Sequence, residues 1–257
     1  MLAAAERLVK REVREIRKAM KKYGGSGQGG QGGRSGQSGE QGQKGQKGQK
    51  GIEIRAFSME FLKWVEEFYK EFPAEVRREM RAAIQGMMAE TFDTMRVAVG
   101  SEEAWGASED VLRDYLENMG DRWAGSSVGQ IREFIEGEEA DRLLDERMGE
   151  WLVKRAEKVA RRESAQAQGY AAWQSMKSLG VLRMRWKAMG SETCPLCLEL
   201  DGKEIGIDDP FGRAGDVINP NRTGQDREQD EKVSLKLAYD VHHPPLHDGC
   251  DCILVPA

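Results

Sequence analysis

The apolar positions of the first 23 residues follow a helical period. Val9, Val13 and Ile16 are separated by four and then three residues, which is the spacing of a coiled-coil seam. An isolated helix of this length is only marginally stable in water. We therefore expect residues 1–23 to form an amphipathic basic helix that associates with a partner, either copies of itself or another protein.

Glycine occupies every third position of the next segment, residues 24–51, without interruption from Gly24 to Gly51. This is the frame of the collagen triple helix, in which only glycine fits at the crowded axis. The segment contains no proline, so a flexible linker rich in Gly and Gln is an alternative interpretation. The collagen-like interpretation leads to the hypothesis that residues 1–51 associate as a trimeric stalk.

Residues 52–180 carry apolar stripes at helical spacing and are predicted to form a helical body. Pro73 is expected to open a second helix, because proline is favoured at the first helical position. Ser108 is expected to cap a shorter helix, which Gly120 would end. Two or three further helices are predicted to follow, the last ending at Gly180.

The period changes to strict alternation after residue 180. Leu182, Met184 and Trp186 are predicted to share one face of a half-buried strand, and the closing CILVP is a second short apolar run. Residues 181–257 are thus expected to be a small β-containing module with long loops. A module with so few apolar residues is hard to stabilise by core burial alone. We therefore expect a cross-link, either covalent or through a metal ion.

Composition and charge narrow the class of protein. The chain is 32% charged and 39% hydrophobic, which is typical of a soluble globular protein. We expect no membrane segment and no signal peptide, and therefore assembly in a cytoplasm. The first 51 residues hold twelve Lys or Arg against four Glu, although the net charge of the whole chain is -5. This basic arm would contact nucleic acid or an acidic protein surface, or it is simply a solvated helix face.

All three histidines and all four cysteines lie in the last quarter of the chain. One C-x2-C pair and one H-x2-C-x-C group offer five candidates for the four places around a tetrahedral Zn2+ ion. The candidate ligands are Cys194, Cys197, His247, Cys250 and Cys252. The expected set is the four cysteines, or a set in which His247 replaces one of the last two. A redox pair or a disulfide is the alternative, but a reducing cytoplasm favours metal ligation. Structural zinc is therefore the predicted cofactor.

Residue patterns that would indicate catalysis are weaker than the metal-ligand pattern. An HNH-type nuclease acting on DNA is the alternative function, since His242, His243 and Asp240 could bind a working divalent ion beside a zinc cluster. The acidic body argues against a surface that cleaves DNA, and these histidines are equally well explained as loop residues or outer partners of the ion. The sequence shows no nucleophile paired with a base and no phosphate-binding loop. We predict that the protein is not an enzyme.

A set of motifs in the C-terminal half resembles the phage head morphogenesis proteins, the minor capsid family of the phage Mu F-like type. The resemblance covers residues of about 126–257. The matching residues are Ala160, Arg161 and Glu163 on a helix, Trp186 at the end of a strand, Cys194 and Cys197 before Leu200, Asp201 and Gly202, and the closing Pro245, His247, Cys250 and Cys252. Family members usually carry a basic residue where this chain has Asp251, and residues 1–51 have no counterpart.

The resemblance implies a non-enzymatic, low-copy protein of the virion, placed at the portal vertex or in the head interior. Portal and capsid proteins are the implied partners, and packaged DNA is a further candidate. Together with the residue patterns, it predicts an α+β protein: a helical arm, a Gly-x-y tract, a mostly helical body and a zinc-stapled β module. Its predicted role is virion assembly through protein-protein contacts.

Overall fold

The computed structural model describes residues 1–23, 57–102, 109–135, 139–190, 193–219 and 234–257. The predictions made for the Gly-x-y tract and for the Ser108 cap lie outside these residues. Among the described helices, none combines the length and the apolar character needed to cross a membrane.

Five long helices form the body. They are α1 (Leu2–Tyr23), α2 (Met59–Ala98), α3 (Glu109–Arg132), α4 (Ala140–Glu150) and α5 (Ala156–Ser178). A π-helical segment of five residues, Trp151–Arg155, joins α4 to α5. The helices share one apolar core that extends from Ala4 in α1 to Ala171 in α5.

The apolar stripe of α1 is buried inside the body. Val9, Val13 and Ile16 are at most 2% exposed, and α1 packs against α2, α4 and α5. The prediction that this helix needs copies of itself or another protein is therefore wrong, because its partner is the rest of the same chain. Packing within one chain avoids the entropy that association would cost, and it leaves the predicted seam unavailable to a trimer.

Two residues expected to interrupt helices instead pack against each other. Pro73 lies inside α2, and Gly120 lies inside α3, which continues to Arg132. A Cβ atom added at Gly120 would lie 3.0 Å from the carbonyl oxygen and 3.1 Å from the Cβ of Pro73. The absence of a side chain at Gly120 thus lets the two helices approach closely, and their packing outweighs the tendency of both residues to end helices.

The C-terminal region contains short strands and one short helix. They are β1 (Arg183–Lys187), α6 (Pro195–Leu200), β2 (Glu204–Gly206), β3 (Val217–Ile218), β4 (Leu235–Lys236) and β5 (Ile253–Pro256). Strand β1 is the centre of an antiparallel sheet in the order β2-β1-β5, and β3 pairs with β4. A mostly helical body followed by a small sheet-containing region is thus confirmed.

The predicted alternation in β1 holds for two of its three apolar residues. Met184 and Trp186 are fully buried, whereas Leu182 is 81% exposed and precedes the strand. The prediction for Leu182 is wrong because the last turn of α5 and Gly180, whose φ is 74°, redirect the chain before the strand begins. Met184 and Trp186 share a buried cluster with Met176 of α5, so the sheet packs on the end of that helix.

A buried carboxylate connects four elements of the body. Glu12 of α1 is fully buried. It accepts hydrogen bonds from the Tyr69 hydroxyl (2.7 Å), the Trp123 indole N–H (3.1 Å) and the Ser127 hydroxyl (2.6 Å). A guanidinium nitrogen of Arg155 lies 3.8 Å from the same carboxylate. A buried charge is tolerated only when it is paired and hydrogen-bonded, so Glu12 specifies how α1 sits against α2, α3 and the π-helical segment.

We predict that Glu12→Ala lowers the free energy of unfolding by about 3–5 kcal/mol, because it leaves the buried Arg155 without its counter-charge. Urea unfolding of the full chain measures the change. Glu6→Ala is the matched control: Glu6 lies on the same helix and forms an exposed pair with Lys10 at 3.5 Å, so the change in stability should be no more than ~0.5 kcal/mol. Equal effects of the two substitutions would contradict the role of Glu12.

Candidate metal centre

Two short segments supply the candidate ligands. Cys194 caps the N-terminus of α6, where Pro195 is the first helical residue, and the Cys194 Sγ accepts a hydrogen bond from the backbone N–H of Cys197 at 3.4 Å. The second segment turns at Gly249, whose φ of 82° favours glycine. The local conformation of each segment therefore directs its candidate ligands toward the same point.

The structure brings all five predicted ligands into one cluster. The Nε2 atom of His247 lies 2.8 Å from the Sγ of Cys194 and 3.2 Å from the Sγ of Cys197. The Sγ atoms of Cys197 and Cys250 are 3.5 Å apart. Two overlapping groups result, Cys194 with Cys197 and His247, and Cys197 with Cys250 and Cys252, with ligand atoms within 4.8 Å in each group. Cys197 belongs to both.

These separations suit a metal ion. Around tetrahedral zinc, bond lengths of about 2.3 Å to sulfur and about 2.0 Å to nitrogen place neighbouring ligand atoms about 3.5–3.8 Å apart. The sulfur-sulfur distance from Cys197 to Cys250 falls in this range, whereas the two distances to His247, 2.8 and 3.2 Å, are shorter than it. None of the four cysteines forms a disulfide. The cluster could therefore hold a metal ion.

Alternating burial in residues 250–252, just before β5, turns both C-terminal thiols inward. Cys250 and Cys252 are 5% and 8% exposed, whereas Asp251 between them is exposed. Residues two apart on an extended backbone face the same side, and this burial pattern agrees with that geometry. Asp251 instead faces the body, where its carboxylate lies 3.8 Å from Arg161 of α5.

Crowding of thiols shifts their proton affinities in opposite directions. The hydrogen bond donated by Cys197 lowers the pKa of Cys250 to about 2, and the same hydrogen bond raises the pKa of Cys197. Contact with Cys197 lowers the pKa of Cys252, but contact with Cys250 and burial outweigh it and raise the value to about 11. Several thiolates at such short range repel one another, and a bound cation would offset that repulsion.

His247 is held in the orientation that a metal ligand needs. Its Nδ1–H donates a hydrogen bond to the backbone carbonyl of Asp248 at 2.9 Å, which leaves the Nε2 lone pair directed at the thiols. Metal-binding histidines are commonly oriented in this way by a hydrogen bond from the other ring nitrogen. Asp248 in turn lies 3.3 Å from Lys158 of α5.

The loop before His247 rests closely on α5. A Cβ atom added at Gly169 would collide with the carbonyl oxygen of Pro244 and would lie 3.0 Å from the Nδ1 of His243. The imidazole of His242 stacks on the Trp173 ring, with centroids 4.7 Å apart. Helix α5 thus supports the segment that carries the histidine ligand candidate.

The three residues considered for a nuclease do not form a metal site. Burial lowers the pKa of His243 to about 4, and its Nδ1–H donates to the carbonyl of Pro244 at 2.7 Å. Asp240 accepts a hydrogen bond from the backbone N–H of Ala214 at 2.8 Å. Within the described ranges, the groups able to hold a metal ion include none of Asp240, His242 and His243. The nuclease alternative is not supported.

Glu163 was predicted from the sequence only as part of a motif, and its burial was not predicted. This carboxylate is 1% exposed and accepts hydrogen bonds from the Tyr115 hydroxyl at 3.0 Å and from Arg122 at 2.8 Å. Burial and the neighbouring Glu163 charge together raise the pKa of Tyr115. Glu163 thus fixes α3 to α5, and nothing in the spacing of apolar residues could have indicated this contact.

The fold and the cluster define a class of protein with a helical body that ends in a small sheet built around a Cys- and His-rich site. Residues 130–255 match the family model described as Phage Mu protein F like protein. The match shows that these residues are similar to that family, and it confirms the resemblance to phage head morphogenesis proteins. Comparisons with curated proteins and with solved structures return no match.

We predict that Gly169→Ala lowers the free energy of unfolding by about 1–3 kcal/mol, because the new methyl group must displace the backbone at Pro244. Thermal or urea unfolding of the full chain measures the loss. Gly125→Ala is the control, since a Cβ there has nothing within 4 Å and alanine in an exposed helix should stabilise by about 0.5–1 kcal/mol. If both substitutions stabilise the protein, Gly169 and the backbone of Pro244 do not approach as closely as expected.

Proposed function

We propose that this protein is a minor capsid or head morphogenesis protein that acts in virion assembly near the portal through protein-protein contacts. The observation that carries the proposal is the family match over residues 130–255. The family is typically structural rather than enzymatic, which agrees with a described site made of thiols and an imidazole. Its location would be the virion, with portal and capsid proteins as partners.

A metal ion in the cluster would have a structural role. The buried cluster of the C-terminal region is small and includes Cys197, Cys250 and Cys252 among its members. Thiolate and imidazole ligands with tetrahedral spacing favour zinc over hard cations such as magnesium. A structural zinc ion contributes on the order of 10 kcal/mol to folding, which would compensate for the limited apolar core. The region would then present a rigid surface to a partner.

We propose that the ligands are Cys194, Cys197, His247 and Cys250. The orientation of His247 toward the Sγ atoms of Cys194 and Cys197 supports the histidine. The short distance from Cys197 to Cys250 supports the fourth ligand. Cys252 would remain a buried neighbour of the site rather than a ligand.

Apolar side chains on the surface of the C-terminal region support a docking role. Leu182, Leu198, Val217 and Tyr239 are each more than half exposed. The cluster holds α6 with its exposed Leu198 against the segment of His247, so that loss of a ligand would disturb this surface.

Cosedimentation with the portal oligomer encoded by the same genome tests the assembly role. The full chain is expected to move with the portal through a density gradient, and Leu198→Ser together with Tyr239→Ser is expected to weaken that association without unfolding the chain. Lys63→Gln, an exposed substitution on α2, is the control and should cosediment like the original chain. A chain that remains free of both portal and capsid proteins would contradict the proposed role.

Metal analysis of single variants tests the ligand set. The purified chain is expected to hold one zinc ion, which Cys197→Ser and Cys250→Ser lose and Cys252→Ser retains. Loss of the ion should unfold the C-terminal region, because structural zinc sites are coupled to folding. Elemental analysis gives the stoichiometry, and circular dichroism during titration with a chelator gives the unfolding.

Two results would refute the assignment. Retention of zinc and of the melting profile in Cys197→Ser would show that Cys197, the residue common to both groups, is not a ligand. Loss of zinc in Cys252→Ser with retention in Cys250→Ser would identify Cys252, rather than Cys250, as the fourth ligand. A metal-free chain with unchanged stability would leave the family role standing and would refute only the structural ion.

A further inference from the structure

A basic cavity lies on the body and shares no lining residue with the cysteine cluster. It opens where the π-helical segment joins α4 to α5 and has a volume of about 250 Å3. Its charged lining residues are Arg147, Glu150, Lys154, Arg155, Lys158 and Arg162. Five of these six side chains are cationic, so the cavity concentrates positive charge in a chain whose net charge is -5.

Arg155 is fixed at the wall of this cavity. Its side chain is only 9% exposed, and its guanidinium lies 3.7 Å from the centre of the Trp151 ring. One terminal nitrogen donates to the Ser127 hydroxyl at 2.5 Å. The other, Nη1, is buried and has no hydrogen-bond partner in the described part of the chain. A rigid guanidinium with an unused donor is suited to bind an oxyanion.

Arg147 adds a second unused donor. Its Nη1 donates to Glu150 at 2.6 Å, and its Nε is buried without a partner among the described residues. Buried donors that lack a partner are costly and uncommon in folded proteins. Both arginines line the same cavity, whose concentration of cationic side chains suits a ligand with several acceptor oxygens.

The carboxylates around the cavity leave its positive charge only partly balanced. Glu12 lies 3.8 Å from Arg155, and Glu163 lies 3.1 Å from Arg162. Among the described residues, Lys158 is paired only through an exposed contact with Asp248, and such contacts contribute little. Lys154 lines the cavity and has no ion pair within the described ranges.

The size of the cavity selects the ligand. Pockets for drug-sized ligands usually measure about 300–1,000 Å3, so a cavity of about 250 Å3 suits one small ion or one phosphate group rather than a whole nucleotide. A π-helical segment is rare and is often found at functional sites, and this one supplies both Trp151 and Arg155. We propose that the cavity binds a single phosphate group, either free inorganic phosphate or a phosphate carried by nucleic acid.

Titration calorimetry of the full chain with inorganic phosphate at low ionic strength tests this proposal. Saturable binding to one site is expected, with sodium chloride at equal ionic strength producing none. Arg147→Gln and Lys154→Gln should each weaken binding roughly tenfold, since a hydrogen bond to a charged group contributes about that factor or more. Arg155 is left unchanged in the first variants because it also balances Glu12 in the core.

Arg142→Gln and Lys63→Gln are the matched controls. Arg142 lies on the same helix as Arg147, is paired with Glu146 at 2.6 Å, and does not line the cavity. Both controls should bind phosphate like the original chain, and all four variants should melt at similar temperatures without phosphate. Equal weakening in controls and cavity variants, or no saturable binding in the original chain, would overturn the proposal.

Competition experiments separate the two sources of phosphate. Displacement of bound phosphate by a 5'-phosphorylated oligonucleotide, and not by the same oligonucleotide without its phosphate, would identify a terminal phosphate of nucleic acid. Displacement by both would identify backbone phosphates, and displacement by neither would identify the free ion. Acetate that competes as well as phosphate would overturn the choice of phosphate and identify a carboxylate site instead.

Discussion

The convergence of two segments on Cys197 is the constraint on which the C-terminal region depends. The Cys194–Cys197 turn and the loop that carries His247 and Cys250 are about fifty residues apart in the chain, yet their ligand atoms approach within 3.5 Å. The sequence between them adds only a few buried apolar residues, such as Phe211, Leu237 and Val241, to a small core. Contacts between the two segments therefore add a constraint that a core of this size needs. The cluster of cysteines and His247 can therefore be essential to the fold without having a catalytic role.

Helix α5 carries that constraint to the rest of the molecule. Its N-terminal half contributes Glu163 to a buried network with α3, its middle receives the Pro244 loop at Gly169, and its last turns place Met176 in the core of the sheet. The body and the C-terminal region therefore share one helix rather than meeting through a linker. A change at the cysteine cluster would displace residues along α5, because tightly packed interiors transmit small displacements.

The sequence predicted those features that depend on residue type and local spacing. The ligand cluster was predictable because cysteine and histidine are rare in this chain and confined to its end, and the burial of Trp186 followed from alternation. Features that depend on contacts distant in sequence were not predictable. Pro73 was expected to open a helix and Gly120 to end one, since neither residue reveals that the other fills the space beside it. Glu12 resembled any other charged residue on a basic helix until Tyr69 and its other hydrogen-bond donors were placed around it.

Lys158 shows how closely the basic cavity and the cysteine cluster are related. It lines the cavity, and its ammonium lies 3.3 Å from the carboxylate of Asp248, the residue whose carbonyl orients the His247 ring. One turn further along α5, Arg161 faces Asp251 between the last two cysteines. Asp248 and Asp251 are thus each paired with a basic residue of α5. Because these pairs are exposed and individually weak, they serve to align the loop on the helix, while the buried contacts at Gly169 and Cys197 supply the stability.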